Sequence, residues 1–126
     1  MDKLNPKAPF EKLLDLKLVE AENGSARMEL PFDKRFTNPH GTIHGGAITS
    51  LIDTAMAVAI KSKYPDKSFY TSRLDIKFRS PADARGIYAH ARVEKVKGGF
   101  VFGRVEVEKE EGTTIAEASC IFFLNK

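Results

Sequence analysis

From Gly45 to Ile60 the chain runs sixteen residues with one charged side chain, Asp53. Its apolar residues fall at helical spacing: Ile48, Leu51, Ile52, Ala55 and Ala59 stand at i, i+3, i+4, i+7 and i+11, a stripe that predicts a helix running to about Ser62. Met56, Val58 and Ile60 widen the stripe until the helix is apolar nearly all round. Such a helix has to be enclosed on most sides. It is shorter than the roughly 20 residues needed to cross a bilayer and carries Asp53 and three hydroxyl side chains, so it reads as a core helix.

The enclosure has to come from the rest of the chain, and the rest has a period of two. Residues 1–9 hold two prolines in a polar run and read as a flexible lead-in to a short helical turn at Phe10, Leu13 and Leu14. Leu16 to Ala21, the turn signal Asn23-Gly24, and the alternation Ala26, Met28, Leu30, Phe32 predict a hairpin with one buried face. After the helix, Leu74, Ile76 and Phe78 alternate with Arg73, Asp75, Lys77 and Arg79, and Ile87, Ala89, Ala91 and Val93 alternate with Tyr88, His90, Arg92 and Glu94. Lys97-Gly98-Gly99 and Glu110-Glu111-Gly112 are hairpin turns, which place further strands near residues 100–108 and 114–124. The expected architecture is α+β, an antiparallel sheet wrapped around one long central helix, as a single domain over residues 10–126. Hairpin connections disfavour a doubly wound parallel sheet.

Composition narrows the setting. A chain of 126 residues with 42% hydrophobic residues can build its own core without disulfides, and the lone Cys120 excludes an internal one. The first twelve residues lack the apolar stretch of a secretory signal, so a cytoplasmic location is the expectation. A net charge of +3 is mildly basic and does not indicate nucleic acid as a partner. No membrane association is expected either.

Chemistry concentrates between Asn38 and Asp53, in and after an irregular connection longer than a turn requires. Gly45 and Gly46 stand immediately before the apolar stripe, where backbone N–H groups are free and no Cβ keeps a ligand oxygen away. Those donors and the helix dipole suit a developing oxyanion, although two glycines also make a tight entry into a helix. Asp53 falls in the second turn of the most apolar helix in the chain, so it is either paired or working as a general base or nucleophile. His40 and His44 are four apart, but the intervening glycine and the flanking proline argue against the helical pair of a zinc site, and no metal is expected. P-loop, dinucleotide and nucleophile-elbow patterns are missing. Cys120 lies in the series Ala116, Ala118, Cys120, Phe122 and reads as a core thiol.

With these residues in place, the segment resembles the hotdog-fold acyl-CoA thioesterases of the phenylacetic-acid-degradation type, within the 4-hydroxybenzoyl-CoA thioesterase superfamily. The family pattern of Asn, Gly, His-Gly-Gly and an Asp nine residues after the His is met by Asn38, Gly41, His44, Gly45, Gly46 and Asp53. The likeness continues through Thr71, Leu74, Ile76 and Phe78, through Ser80-Pro81-Ala82, and through Ala116, Ala118 and Phe122, so it covers about residues 10–124. It implies a hotdog fold and hydrolysis of an acyl-CoA without metal or redox cofactor. It implies that the Gly45 N–H polarises the thioester carbonyl, that Asp53 activates water or attacks, and that Asn38 and His44 place the thioester and the loop. Thr71 matches the position that orients water, with Ser72 beside it as the alternative. Substrate contacts are implied at Gly46, Ser72, Ser80, Pro81, Gly98 and Gly99. The resemblance also implies homodimers with joined sheets, often paired again into tetramers.

A geometric argument independent of the family leads the same way. Gly45 and Asp53 are eight residues apart, so on one helix they lie about 12 Å apart along the axis. Groups acting on one reaction centre lie within about 3 Å of it. If both take part, the Gly45 end of one chain faces Asp53 of another across a two-fold axis. Two other readings keep the residues but change the role: a hotdog acyl-thioester hydratase or dehydratase, and a non-catalytic acyl-CoA binding module. Arg73, Lys77 and Arg79 share a strand face that could engage CoA phosphates, or could be an ordinary solvated face.

Overall fold

The computed structural model describes residues 2–83 and 85–125. A 3-10 turn at Asp2–Leu4 and the short helix α1, Pro9–Leu13, precede the hairpin of β1, Lys17–Glu22, and β2, Ser25–Leu30. The long helix α2 spans Gly45–Lys63, and four strands follow: β3, Phe69–Phe78; β4, Ile87–Lys97; β5, Phe100–Lys109; and β6, Thr114–Leu124. The strands form one six-stranded sheet in the order β1-β2-β4-β5-β6-β3, with every neighbouring pair antiparallel. Both the α+β architecture and the sheet wrapped around a single helix are as the periodicities predict.

Period-two burial makes the sheet's inner face. Met28 and Leu30 on β2, Ile87 and Ala89 on β4, Val101, Val105 and Val107 on β5, and Ala116, Cys120 and Phe122 on β6 are all buried against α2, which touches all six strands. Ten residues of α2 are buried, including Leu51, Ile52, Ala55, Met56, Ala59 and Ile60. At about 1.5–3 kcal/mol for each fully buried large apolar side chain, this layer contact is the main stabilising term of the domain. Among the described residues no helix is long and apolar enough to cross a membrane. Leu4 packs against the core from within the segment expected as a lead-in.

Two features of the pattern differ from the simple alternation. Phe78 shares a strand phase with Leu74 and Ile76, yet it is 54% exposed, because β3 runs past the first turn of α2 and its ring reaches Gly45 instead of the core. Ser72 is the extra residue of a β-bulge, since Thr71 pairs with Phe122 and Arg73 with Ile121. Burial pushes the Cys120 thiol up to about 12, with the nearby Asp53 charge adding to the effect, so it is protonated and inert at neutral pH as a core thiol should be.

Gly103 sits in β5 between Val93 and Cys120, directly under α2. A Cβ there would lie 2.7 Å from the Arg92 carbonyl oxygen and would collide with the Met56 side chain. The carbonyl belongs to a central strand and cannot step aside. Gly103→Ala is therefore expected to lower unfolding free energy by about 1–3 kcal/mol, as overpacking does, measured by urea denaturation.

Candidate active site at the start of the central helix

The irregular connection is organised by Asn38. Its Oδ1 accepts from the His40 N–H at 2.9 Å and the Thr42 N–H at 3.2 Å, and its Nδ2 donates to Thr42 Oγ1 at 2.7 Å. The Ile43 N–H donates to the Ala82 carbonyl at 2.8 Å and the His44 N–H to the Phe36 carbonyl at 2.9 Å. The loop is thereby tied to the segment after β3 before the helix begins.

His44 is the N-cap of α2, with extended backbone at φ −61° and ψ 136°, and its Nδ1 accepts the Gly46 N–H at 2.8 Å. Accepting at Nδ1 leaves the proton of the neutral ring on Nε2, pointing away from the helix. The cap explains Gly46, because a Cβ there would stand 3.0 Å from His44 Nδ1. Gly45 is different. Its Cβ would meet only the Phe78 ring at 3.8 Å, an ordinary contact, so packing within the chain does not require glycine. Among the described residues the Gly45 N–H donates to no other group. It is an open donor at the positive end of a helix.

Asp53 is half-buried two turns farther on, and its Oδ1 accepts from the Thr71 hydroxyl at 2.6 Å. The bulge at Ser72 turns Thr71 toward the helix; Thr71, not Ser72, is the hydroxyl that reaches the carboxylate. Asp53 Oδ2 accepts no hydrogen bond from a described residue. Gly45 and Asp53 lie on one continuous helix, so the separation of about 12 Å along its axis holds in the folded chain.

A cleft of about 310 Å³ opens at Gly45, lined also by Asn38, Phe78, Ser80 and Pro81. Four of the expected site residues therefore meet there. The Ser80 hydroxyl is committed to the Thr114 carbonyl at 2.7 Å and holds the cleft wall. Gly98 and Gly99, with φ of +60° and +82°, form the two-residue β4–β5 turn that such angles demand. That turn lies at the opposite end of the sheet, beside Leu124, and within one chain it does not join the cleft. Met56 and Ile60 are fully buried in the core. Arg79, one residue past the end of β3, lines the same cleft and pairs with Glu117 at 3.1 Å. Among the described residues no three His, Cys, Asp or Glu side chains gather as a metal site needs. A surface cleft of about 560 Å³ on β1, β2 and β4 contains none of these residues.

The sequence profile of the Thioesterase superfamily matches residues 40–116. The chain belongs to that superfamily. A protein of Halobacterium salinarum described as a candidate esterase is 30% identical over 111 residues, covering 82% of this chain and 72% of that one. The PaaI protein of the E. coli phenylacetic acid degradation operon superposes with a TM-score of 0.88 at 23% identity, over 95% of this chain and 86% of that one. A hypothetical thioesterase of Streptococcus pneumoniae, solved with coenzyme A, gives 0.81 at 14% identity, over 87% and 85% of the two chains. At these identities the two structures carry the fold, which is the hotdog. Membership of the superfamily supports acyl-thioester hydrolysis as the general activity of this thioesterase-family chain.

The two glycines should separate in a stability test. Alanine in the first turn of a helix ordinarily stabilises relative to glycine. Gly45→Ala is expected to be neutral or stabilising, while Gly46→Ala displaces the His44 cap and lowers stability by about 1 kcal/mol, read as opposite shifts in Tm.

Proposed function

We propose that the chain is a cytoplasmic acyl-CoA thioesterase that works as a homodimer, with each active site built from Asp53 of one protomer and the Gly45 N–H of its partner. What supports this reading is the pair of open groups on one rigid helix: the Gly45 N–H, and Asp53 Oδ2 beside the Thr71 hydrogen bond. About 12 Å of helix keeps them from meeting within a chain, and two antiparallel copies of the helix bring them together twice. The edge strand β3 favours the same partner. It runs ten residues, exposes Tyr70 at 63% and Phe78 at 54%, and has a free edge among the described residues. Pairing of β3 with its symmetry mate joins the sheets and lays the helices side by side. Further pairing of dimers into tetramers fits the same family resemblance.

The chemistry then balances. Water attacks the thioester carbonyl carbon as its proton passes to the Asp53 carboxylate, or the carboxylate attacks first and water hydrolyses the anhydride. In both routes the carbonyl oxygen gains negative charge against the partner's Gly45 N–H. The C–S bond breaks, and the thiolate leaves and takes up a proton. Thr71 holds one carboxylate oxygen so that the other faces the reaction centre. The coenzyme A bound to the Streptococcus pneumoniae thioesterase of the same fold supports CoA as the carrier. A thiol-release assay over a panel of acyl-CoAs tests the reaction: tight binding without thiol release favours the binding module, and hydration of an enoyl-CoA without free thiol favours the hydratase.

Asp53→Asn is expected to lower kcat by at least about a hundredfold in an otherwise native dimer, the range that loss of a catalytic acid or base produces. Near wild-type turnover on the best substrate would sink the role. Gly45→Pro removes only the N–H, since proline suits the first helical position and His44 already has the extended conformation that precedes it. A mixed dimer with Asp53→Ala on one chain and Gly45→Pro on the other should contain one working site. If each defect instead acted within its own chain, the mixed dimer would be as inactive as its parents.

A further inference from the structure

Asp53, Ala57 and Lys61 stand on successive turns of one half-buried to exposed stripe of α2. A ligand whose reacting carbon lies at Asp53 therefore has a direct path along the helix to Lys61, about 12 Å farther on. Beside that path, starting one residue past Asp53, opens a pocket of about 320 Å³. Ala57, Val58 and Phe69 give it apolar lining, and Lys61 of α2 lines it together with Lys3 and Lys7 of the N-terminal segment. The acidic residue in the lining is Glu11, whose Oε1 is engaged by the Ala8 N–H at 2.9 Å. None of the three lysines is in an ion pair with a described side chain, whereas Lys63, two residues on, lies over the Tyr64 ring. The pocket thus has a positive excess that the fold does not spend on itself.

We propose that Lys3, Lys7 and Lys61 form a subsite for the phosphate groups of the CoA moiety, with the N-terminal segment as its outer wall. This rests on the reading of Asp53 as the reaction centre. The pantetheine arm separates the phosphates from the thioester sulfur, so the charge that binds them has to be displaced from Asp53, as these lysines are. Ammonium groups donate charge-assisted hydrogen bonds to phosphate and act as point charges, which suits a flexible pyrophosphate. The apolar lining suits the methylene and methyl groups of the arm.

The test compares an acyl-CoA with the N-acetylcysteamine thioester of the same acyl group, which carries no phosphate, in the full-length protein. Replacing all three lysines by glutamine should raise KM for the acyl-CoA about tenfold and lower the ratio of the two kcat/KM values by about the same factor. The salt dependence of KM should flatten in the variant. Lys61→Gln alone, on an exposed helical turn, should shift the ratio in the same direction. Equal losses on both substrates, or none on either, overturn the subsite. So does a loss confined to thioesters of dicarboxylic acids, which would assign the lysines to a carboxylate on the acyl end. Titration calorimetry of CoA into Asp53→Asn protein, with and without the lysine substitutions, separates this inference from the catalytic one. Unchanged CoA affinity overturns the subsite even if Asp53 is essential, and wild-type turnover by Asp53→Asn overturns the catalytic role whatever the lysines do.

Discussion

The enclosure of α2 by the sheet is the interaction on which everything else depends. Ten helical residues are buried against all six strands, and this contact fixes the helix as a rigid rod. The same rigidity keeps the Gly45 N–H and Asp53 about 12 Å apart along the rod, a gap that no side-chain motion closes. On the proposed function, fold stability and the need for a second chain thus have one origin. A looser helix could bring the two groups together only by giving up the core that makes the domain.

The enclosing sheet leaves one stripe of the helix uncovered, and the residues there are the small or polar ones: Gly46, Thr49, Ser50, Asp53, Ala57 and Lys61. Around this stripe most polar groups are already committed to the scaffold. Asn38 closes its loop, His44 Nδ1 caps the helix, Ser80 holds the cleft wall and Thr71 holds Asp53 Oδ1. Among the described residues the groups left over include the Gly45 N–H, Asp53 Oδ2 and His44 Nε2. Such a division gives preorganisation, because the open groups are aimed by bonded neighbours before a ligand arrives.

Much of this was legible in the sequence because the two periodicities are clean. The stripe from Ile48 to Ala59 predicts α2 to within a residue of its observed end at Lys63, and alternation with Gly-containing turns predicts the antiparallel strands after it. What period alone does not show is where an element outruns its partner. Phe78 has the phase of a core residue, but β3 extends past the start of the helix, so the ring is spent at the Gly45 cleft. Nor does spacing distinguish Thr71 from Ser72, since a bulge changes which of two adjacent side chains faces inward. The glycine pair reads as one motif in sequence and resolves into two roles in three dimensions: Gly46 makes room for the cap, and Gly45 keeps an amide open. Gly98 and Gly99 look like site residues by resemblance, yet within the chain their positive φ values mark a turn far from the cleft.

The uncovered helix stripe and the uncovered sheet edge lie side by side, which the hydrogen bond from Thr71 on β3 to Asp53 on α2 makes plain. One partner can therefore cover both. Extending the sheet across β3 satisfies a ten-residue edge that would otherwise be open to unspecific strand pairing, and it brings a second helix against the Gly46 to Asp53 part of the stripe without a further interface, leaving Ala57 and Lys61 beyond that helix's start. In the proposed dimer, setting one Asp53 opposite a Gly45 sets the other pair together as well, because a contact made in one direction across a two-fold axis is made in the other. In this arrangement the turn at Gly98 and Gly99, remote from its own cleft, is carried toward the Phe78 end of the partner's β3, which runs in the opposite sense. In the proposed dimer those glycines and the partner's Ser80 and Pro81 would belong to one site drawn from two chains, which would account for their separation in one chain.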